Sequence, residues 1–360
     1  MTTHLPQELI TQILSILPIK PLVRFQCVSK SWFALIINDS YFINLHLSRS
    51  KERILILASP EPLDYLIVNL SNEDRFGEAV KIKHPLQHSQ SIDIVDTCNG
   101  LVCFINYNAD ETVLIIWNPL IRKYRKLPFK PREELSHTSF GFGYDRVNDD
   151  YKVLGLVQFY RRDGSGRRKY SLEVYSLREH CWRMVKEEWP IVELSNFFGF
   201  CGSRAIFSNG AFHWLVSLEA ELKVVHVAFD LSTEKFRVHE FPVHSSINSM
   251  CVELVDLGGL LCFAVDFSDL CEVWVMKEYG IVSSWTLLYT IERAFPNHPP
   301  LVFSRDGKEV FIGDIDGDLE FYWYNIKKKT RRIVEFENLL NGSLPFICVG
   351  SLLLLDADSY

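Results

Sequence analysis

The chain has 360 residues, 48% of them apolar, 13% aromatic and 23% charged, with 18 glycines and 15 prolines, a composition that excludes disorder and allows one or two globular domains. A net charge of -7 supplies no basic field for a phosphate backbone, so nucleic acid is not expected as a partner. No apolar run approaches the roughly 18 to 20 residues of a spanning helix, and Met1-Thr2-Thr3-His4 lacks the basic and apolar regions of a signal peptide, so neither membrane insertion nor secretion is expected.

The nine cysteines are odd in number, scattered and without a Cys-x-x-Cys pair. They read as free thiols of a reducing compartment, the cytoplasm and/or the nucleus.

Residues 1–47 carry the helical period. Pro6 opens a first helix with Glu8 in its first turn, and Ile10, Ile13, Leu14 and Leu17 follow at i, i+3, i+4 and i+7. Pro18 stops it. A second short helix starts at Pro21 with Leu22, Val23 and Phe25, and a third follows Ser29, an N-cap residue, with Trp32, Phe33, Leu35, Ile36 and Ile37. Leu9 and Ile16 lie outside the main stripe of helix 1, so its apolar surface is wider than a three-helix module can cover by itself. Two coverings fit it: the chain's own second domain, or a partner, to which each buried Leu or Ile would offer roughly 1.5 to 3 kcal/mol.

From residue 53 the period becomes two and no amphipathic helix is evident. One apolar strand recurs after a Gly or Asp turn, at Arg53–Leu57, Asn99–Phe104, Asp150–Leu154, Asn209–Leu215, Gly258–Phe263 and Asp306–Phe311. A second strand ends near Asn69, Asn118, Ser176, Asp230, Met276 and Asn325. A period near 50 is that of four-stranded kelch-like propeller blades. Six copies predict six blades over residues 48–360, with the terminal run Gly350–Asp356 as the strand that completes the first blade. The predicted fold class is α+β multidomain, a three-helix module followed by an all-β six-bladed propeller.

The turns between first and second and between third and fourth strands are predicted short, and the long connections fall on the opposite end of the blades. Gln158–Lys169 carries Arg161, Arg162, Arg167 and Arg168, and Glu187–Arg204 carries Phe197 and Phe198. Loops of this length point to a partner-reading surface, and these six residues are the candidate substrate contacts.

Catalytic and metal constellations are weak. Asp314-x-Asp316-Gly317-Asp318 has Asn325 where a calcium loop needs a bidentate Glu, and a hairpin turn accounts for it. His84 and His88 are separated by Pro85 and share no helix face for zinc. His213 sits in the apolar run Ala211–Leu215, the setting of a hydrogen-bonded core histidine. Neither Gly-x-Ser-x-Gly nor a phosphate-binding Gly-rich loop is present, so no catalytic residue, cofactor or metal is assigned. Lys327-Lys-Lys-Thr-Arg-Arg332 reads as a basic turn rather than a nuclear signal.

Leu5-Pro6-x-Glu8-Leu9, Ile13-Leu14, Leu17-Pro18-x-Lys20-x-Leu22-Val23-Arg24-Phe25 and Cys27-Val28-Ser29-Lys30-x-Trp32 resemble the F-box of flowering plants. The remainder resembles the type 1 F-box-associated interaction domain, through Cys98–Phe104, Trp117-Asn118-Pro119, Gly141–Asp145, Asp149–Val153, Glu173–Ser176, Asn209-Gly210 with His213-Trp214, and Phe229-Asp230-Leu231. The resemblance implies a non-catalytic substrate receptor of an SCF-type ubiquitin ligase. The F-box would bind the Skp1 adaptor, called ASK in plants, and through it cullin and the RING subunit, while the propeller would hold a target protein. It places adaptor contacts at Leu5, Pro6, Leu9, Ile13, Leu14, Pro18, Leu22 and Val28, with Trp32 assignable to the module core. A binding module acting outside ubiquitination and a propeller enzyme are the competing readings.

Overall fold

The computed structural model describes residues 5–50, 53–59, 64–70, 80–82, 92–107, 112–129, 136–160, 168–191, 205–218, 223–240, 252–267, 270–292, 300–314, 320–336 and 344–355. Four helices are followed by a six-bladed β-propeller. The chain divides into two compact units, one of Met1–Phe129, Phe336–Asn338 and Ser343–Tyr360, the other of Lys130–Glu335 and Leu339–Gly342. No described helix is long and apolar enough to cross a membrane.

The first unit opens with α1 (Gln7–Leu14), α2 (Ile19–Phe25), α3 (Lys30–Asn38) and α4 (Ser40–Arg49). Pro6 and Pro18 hold the capping positions of α1 and α2, where a missing N–H leaves no helical bond unmade. Pro21 therefore lies in the first turn of α2 rather than starting it. Ser29 caps α3 as expected, its hydroxyl accepting from Trp32 N at 3.2 Å. The fourth helix was not expected. Asp39 starts it by accepting from Phe42 N at 3.0 Å, and its short run Tyr41-Phe42-Ile43 has no helical spacing to reveal it.

Each blade is a four-stranded antiparallel sheet. Blade 2 comprises Ile92–Cys98, Leu101–Tyr107, Thr112–Asn118 and Lys123–Leu127. Blade 3 has Ser136–Asp145, Asp150–Tyr160, Arg168–Ser176 and Cys181–Met184, and blade 4 has Ile206–Ser208, Ala211–Leu218, Lys223–Asp230 and Lys235–Glu240. Blade 5 holds Val252–Asp256, Leu261–Phe267, Leu270–Met276 and Trp285–Glu292; blade 6 holds Pro300–Phe303, Glu309–Asp314, Glu320–Asn325 and Thr330–Val334. Every strand expected after a Gly or Asp turn is the second of its blade, and the expected strand ends at Asn69, Asn118, Ser176, Asp230, Met276 and Asn325 all end third strands.

Blade 1 is built from both chain ends: Leu344–Val349, then Arg53–Ser59, Asp64–Asn69 and Val80–Ile82. The closing strand is thus not Gly350–Asp356 but the segment before it. Phe346 and Cys348 stand opposite Ile56 and Ile54 and enter one core with Ile94, Val102, Phe104, Ile115 and Trp117. The leucine run that was expected to pair as a strand instead leaves the sheet and covers the helices.

Third-to-fourth strand turns repeat one device. Asn118, Asp230 and Asn325 accept backbone N–H bonds two or three residues ahead, as does Ser176 through its hydroxyl. The residue before the fourth strand is then left-handed at Arg122, His180, Glu234 and Lys329. Lys327–Arg332 is this turn and the strand following it.

In the second unit, glycines let neighbouring strands approach aromatic rings. A Cβ on Gly141 would lie 2.6 Å from the fully buried Phe212 ring and 3.1 Å from Ala205. Gly141→Ala is expected to cost about 1 to 3 kcal/mol by overpacking, read as a lower urea midpoint at unchanged m-value.

Candidate functional site

The helical module sorts its apolar residues into two sets. Leu14, Ile19, Leu22, Leu35, Ile36, Phe42 and Ile43 are buried together, with Ile10, Leu17, Phe25, Trp32 and Ile37 packed against them. His46 Nε2 donates to Leu17 O at 2.8 Å and Arg49 donates to Ser15 Oγ at 2.7 Å, so α4 clamps the end of α1. On the other side, Leu5, Leu9, Ile13 and Ile16 are 60%, 50%, 50% and 68% exposed. Their spacing of four, four and three residues sets them on one side of α1 and its flanks. Val28, Phe33 and Tyr41 add exposed apolar surface beyond α2.

Six of the eight expected adaptor contacts, Leu5, Pro6, Leu9, Ile13, Pro18 and Val28, are therefore exposed. Leu14 and Leu22 are corrected: they are 2% and 0% exposed and belong to the internal core, because the inward face of α1 runs through Ile10, Leu14 and Leu17. Ile13 joins Leu9 and Ile16 outside. Trp32 packs edge-on against Phe25 at 5.7 Å, in the module core. Sequence reasoning did not assign Ile16, Phe33 and Tyr41 to this surface. The extra width of the helix 1 stripe signalled Ile16; the other two need the fourth helix to be placed.

The chain's own unit covers the opposite side of the module. Leu352, 1% exposed, is part of the helical core, with Leu120, Ile121 and Leu353 packed on it. The helices thus sit at the end of blades 1 and 2 that carries the Asn99-Gly100 turn and the turn after Asn118.

Of the expected substrate contacts, Arg161, Arg162, Arg167, Phe197 and Phe198 lie outside the described residues, and Arg168 begins the third strand of blade 3. His84, His88, Asp316, Gly317 and Asp318 also lie outside them. Among the described residues no cluster of three or more His, Cys, Asp or Glu could hold a metal ion.

The second unit holds a polar cleft of about 600 Å³ at the short-turn ends of blades 3 and 4, with Lys152 and Asp150 at its base and Arg178, Arg183 and Glu234 in its walls. Two of its cations are paired with carboxylates. Lys152 Nζ lies 2.7 Å from Asp145, whose side chain is fully buried. Burial pushes the Asp145 carboxyl up, but the hydrogen bonds from Asn148 and Lys152 outweigh it and hold it below the usual carboxylate range. Asp150 accepts from Ser176 Oγ at 2.6 Å and Arg178 N at 3.0 Å, and Arg183 grips Glu234 with both guanidinium arms.

His213, read as a core histidine, is fully buried in a ladder with His226 and His239 across blade 4. His213 Nε2 lies 3.1 Å from Ser208 O, and a carbonyl only accepts, so that nitrogen carries the proton. His213 Nδ1 then accepts from His226 Nε2 at 2.9 Å, and His226 Nδ1 is buried with no hydrogen-bond partner. Burial lowers both rings, His213 to about 4 and His226 to about 3, with the neighbouring histidines lowering them further. The thiols of Cys262 and Cys348 are pushed up to about 12 by burial, so neither supplies a nucleophile at neutral pH.

An F-box domain model matches residues 3–44, and an F-box associated beta propeller domain model matches residues 49–345. The Arabidopsis thaliana F-box protein CPR1 is 27% identical over 97% of this chain and 89% of its own. An Arabidopsis F-box/kelch-repeat protein is 29% identical over 80% of this chain and 79% of its own. The Arabidopsis protein SUPPRESSOR OF NIM1 1 is 31% identical over 65% and 62%.

Because the buried histidines resist protonation, the unfolded chain takes up protons below about pH 6.5 that the folded chain refuses. Stability is expected to be level above that pH and to fall below it by about 1.4 kcal/mol per pH unit for each ring. Urea midpoints at pH 7 and 5 measure this, and His226→Gln should roughly halve the slope over that interval.

The helical module with its outward stripe and the six four-stranded sheets account for both matches: the chain belongs to the plant F-box proteins that carry an F-box associated β-propeller domain.

Proposed function

We propose that this protein is the substrate-recognition subunit of an SCF ubiquitin ligase. The observation that carries the reading is the stripe Leu5, Leu9, Ile13 and Ile16, left exposed on a module whose other side is already buried. Of the two coverings open to the sequence, this one calls for a partner. Covering the remaining exposed part of each side chain is worth about 1 kcal/mol or more, enough in sum with Val28 and Phe33 to hold an apolar adaptor surface. Membership in the F-box family supports Skp1, or its plant counterpart ASK, as that adaptor, with cullin and the RING subunit joined through it.

The propeller then holds a target protein. The long connections that carry Arg161, Arg162, Arg167 and Arg168 and Phe197 and Phe198 are assigned to this task. The receptor makes no covalent bond. It acts by effective concentration, keeping a target lysine near a ubiquitin-loaded enzyme long enough for transfer. The free thiols of Cys103, Cys262 and Cys348 support work in the cytoplasm or nucleus.

Leu9→Glu places a charge where the adaptor would bury a leucine, a penalty of about 3 kcal/mol or more. Binding to purified Skp1-class adaptor, measured by calorimetry, is expected to weaken at least about a hundredfold while the propeller's unfolding transition is unmoved. Undiminished binding would remove the assigned interface. Target accumulation under proteasome inhibition separates a ligase receptor from a binding module that acts without ubiquitination.

A further inference from the structure

We infer that the segment Ser351–Leu355 is a working part of the adaptor-binding module, so that adaptor binding is conditional on that segment being in place. The inference rests on the reading of α1 as the adaptor surface.

Three observations carry it. First, the core beneath α1 is not made by the helices alone: Leu352 is as deeply buried there as Leu14, with Leu353 packed beside it. A module of roughly 45 residues without disulfide or metal is near the limit of independent stability, and here its core is completed by residues some 300 positions away.

Second, this segment is held by a dedicated side chain. Asn118 is fully buried, and its Nδ2 donates to Ser351 O at 3.0 Å and Leu353 O at 3.1 Å. Its Oδ1 accepts from Leu120 N at 3.1 Å, which sets the turn whose Leu120 and Ile121 also pack on the helices. The Trp117-Asn118-Pro119 motif thus joins the segment, the blade 2 turn and the helical core through one amide. Alanine here would take away the side-chain partner of three backbone groups, of which Ser351 O is buried.

Third, the backbone makes room for the segment. A Cβ on Gly100, at φ +84°, would fall 2.1 Å from Ser351 Cβ and 2.8 Å from Val349 O. Immediately before the segment, Leu344–Val349 is the strand that closes blade 1, and Thr97 Oγ1 bonds its Ile347 O at 2.6 Å. Segment and closing strand are continuous, so the helices gain their last core residues only where that strand is in place.

The consequence is a completeness requirement. A receptor truncated near its end, or one whose blade 1 has not closed, presents α1 on an unfinished core. Such a chain competes less well for the adaptor than the full chain.

The test uses the full chain, a chain ending at Gly350, and the point variants Leu352→Asp, Asn118→Ala and Leu9→Glu. Each is measured for binding to purified Skp1-class adaptor, for the urea transition of the propeller, and for amide hydrogen exchange of residues 7–49 in the unbound protein. The chain ending at Gly350 keeps the closing strand, and it and Leu352→Asp are expected to retain the propeller transition. Their helical amides should exchange at least tenfold faster and their adaptor affinity should drop at least tenfold. Leu9→Glu should lose affinity with exchange unchanged. If truncated and Leu352→Asp chains keep both slow exchange and full affinity while Leu9→Glu loses binding, this inference is wrong and the functional reading stands. If Leu9→Glu binds normally, the functional reading fails, and helical exchange alone decides whether the segment completes the module. Should truncation unfold the propeller, the same two readouts on Leu352→Asp and Asn118→Ala decide between these outcomes.

Discussion

The insertion of Leu352 among Leu14, Ile19, Leu22 and Ile36 is the contact on which the first unit depends. It explains why a short helical module can keep a greasy outer stripe and still hold its shape. The core that would otherwise be too small is finished by the segment Ser351–Leu355, and the stripe is left over because no described residue of the unit covers the outer side of α1. The same segment fixes the module at the end of blades 1 and 2 that carries the turn after Asn118.

Much of this was legible because the propeller's turns are written in side chains. Asn118, Asp230 and Asn325 close turns by accepting backbone N–H groups, and each marks the end of a third strand. The closing strand was misplaced because a strand's partner is not encoded in its own composition. Leu352-Leu-Leu-Leu355 has the stronger apolar signal, yet the segment with Pro345, Phe346 and Cys348 has the alternation that fits a one-sided core. A similar ambiguity put Leu14 and Leu22 among the surface contacts: a helix apolar on most of its circumference does not say which side faces in. The fold settles it, since Ile10, Leu14 and Leu17 belong to the core that Leu352 completes. The fourth helix escaped notice for want of spacing, and with it Tyr41.

The second unit shows how polar groups are kept in such a ring of sheets. Asp145 and Lys152 are taken out of water as a pair, with Asn148 supplying further donors to the carboxylate. The histidine ladder of blade 4 is less well satisfied. One acceptor nitrogen is left without a partner, and the arrangement is stable only while both rings are neutral. That condition holds at neutral pH and is consistent with the compartments proposed for the protein.

The central claim, that the outer stripe of α1 is free in the isolated protein and covered by an adaptor, is tested most directly by hydroxyl-radical footprinting of side chains with and without purified Skp1-class adaptor. The account predicts that Leu9, Ile13 and Ile16 are readily oxidised in the free protein and several-fold protected in the complex, with Leu14 and Leu22 unreactive in both. Equal oxidation of the three outer residues in the free protein and in a stable complex would contradict it.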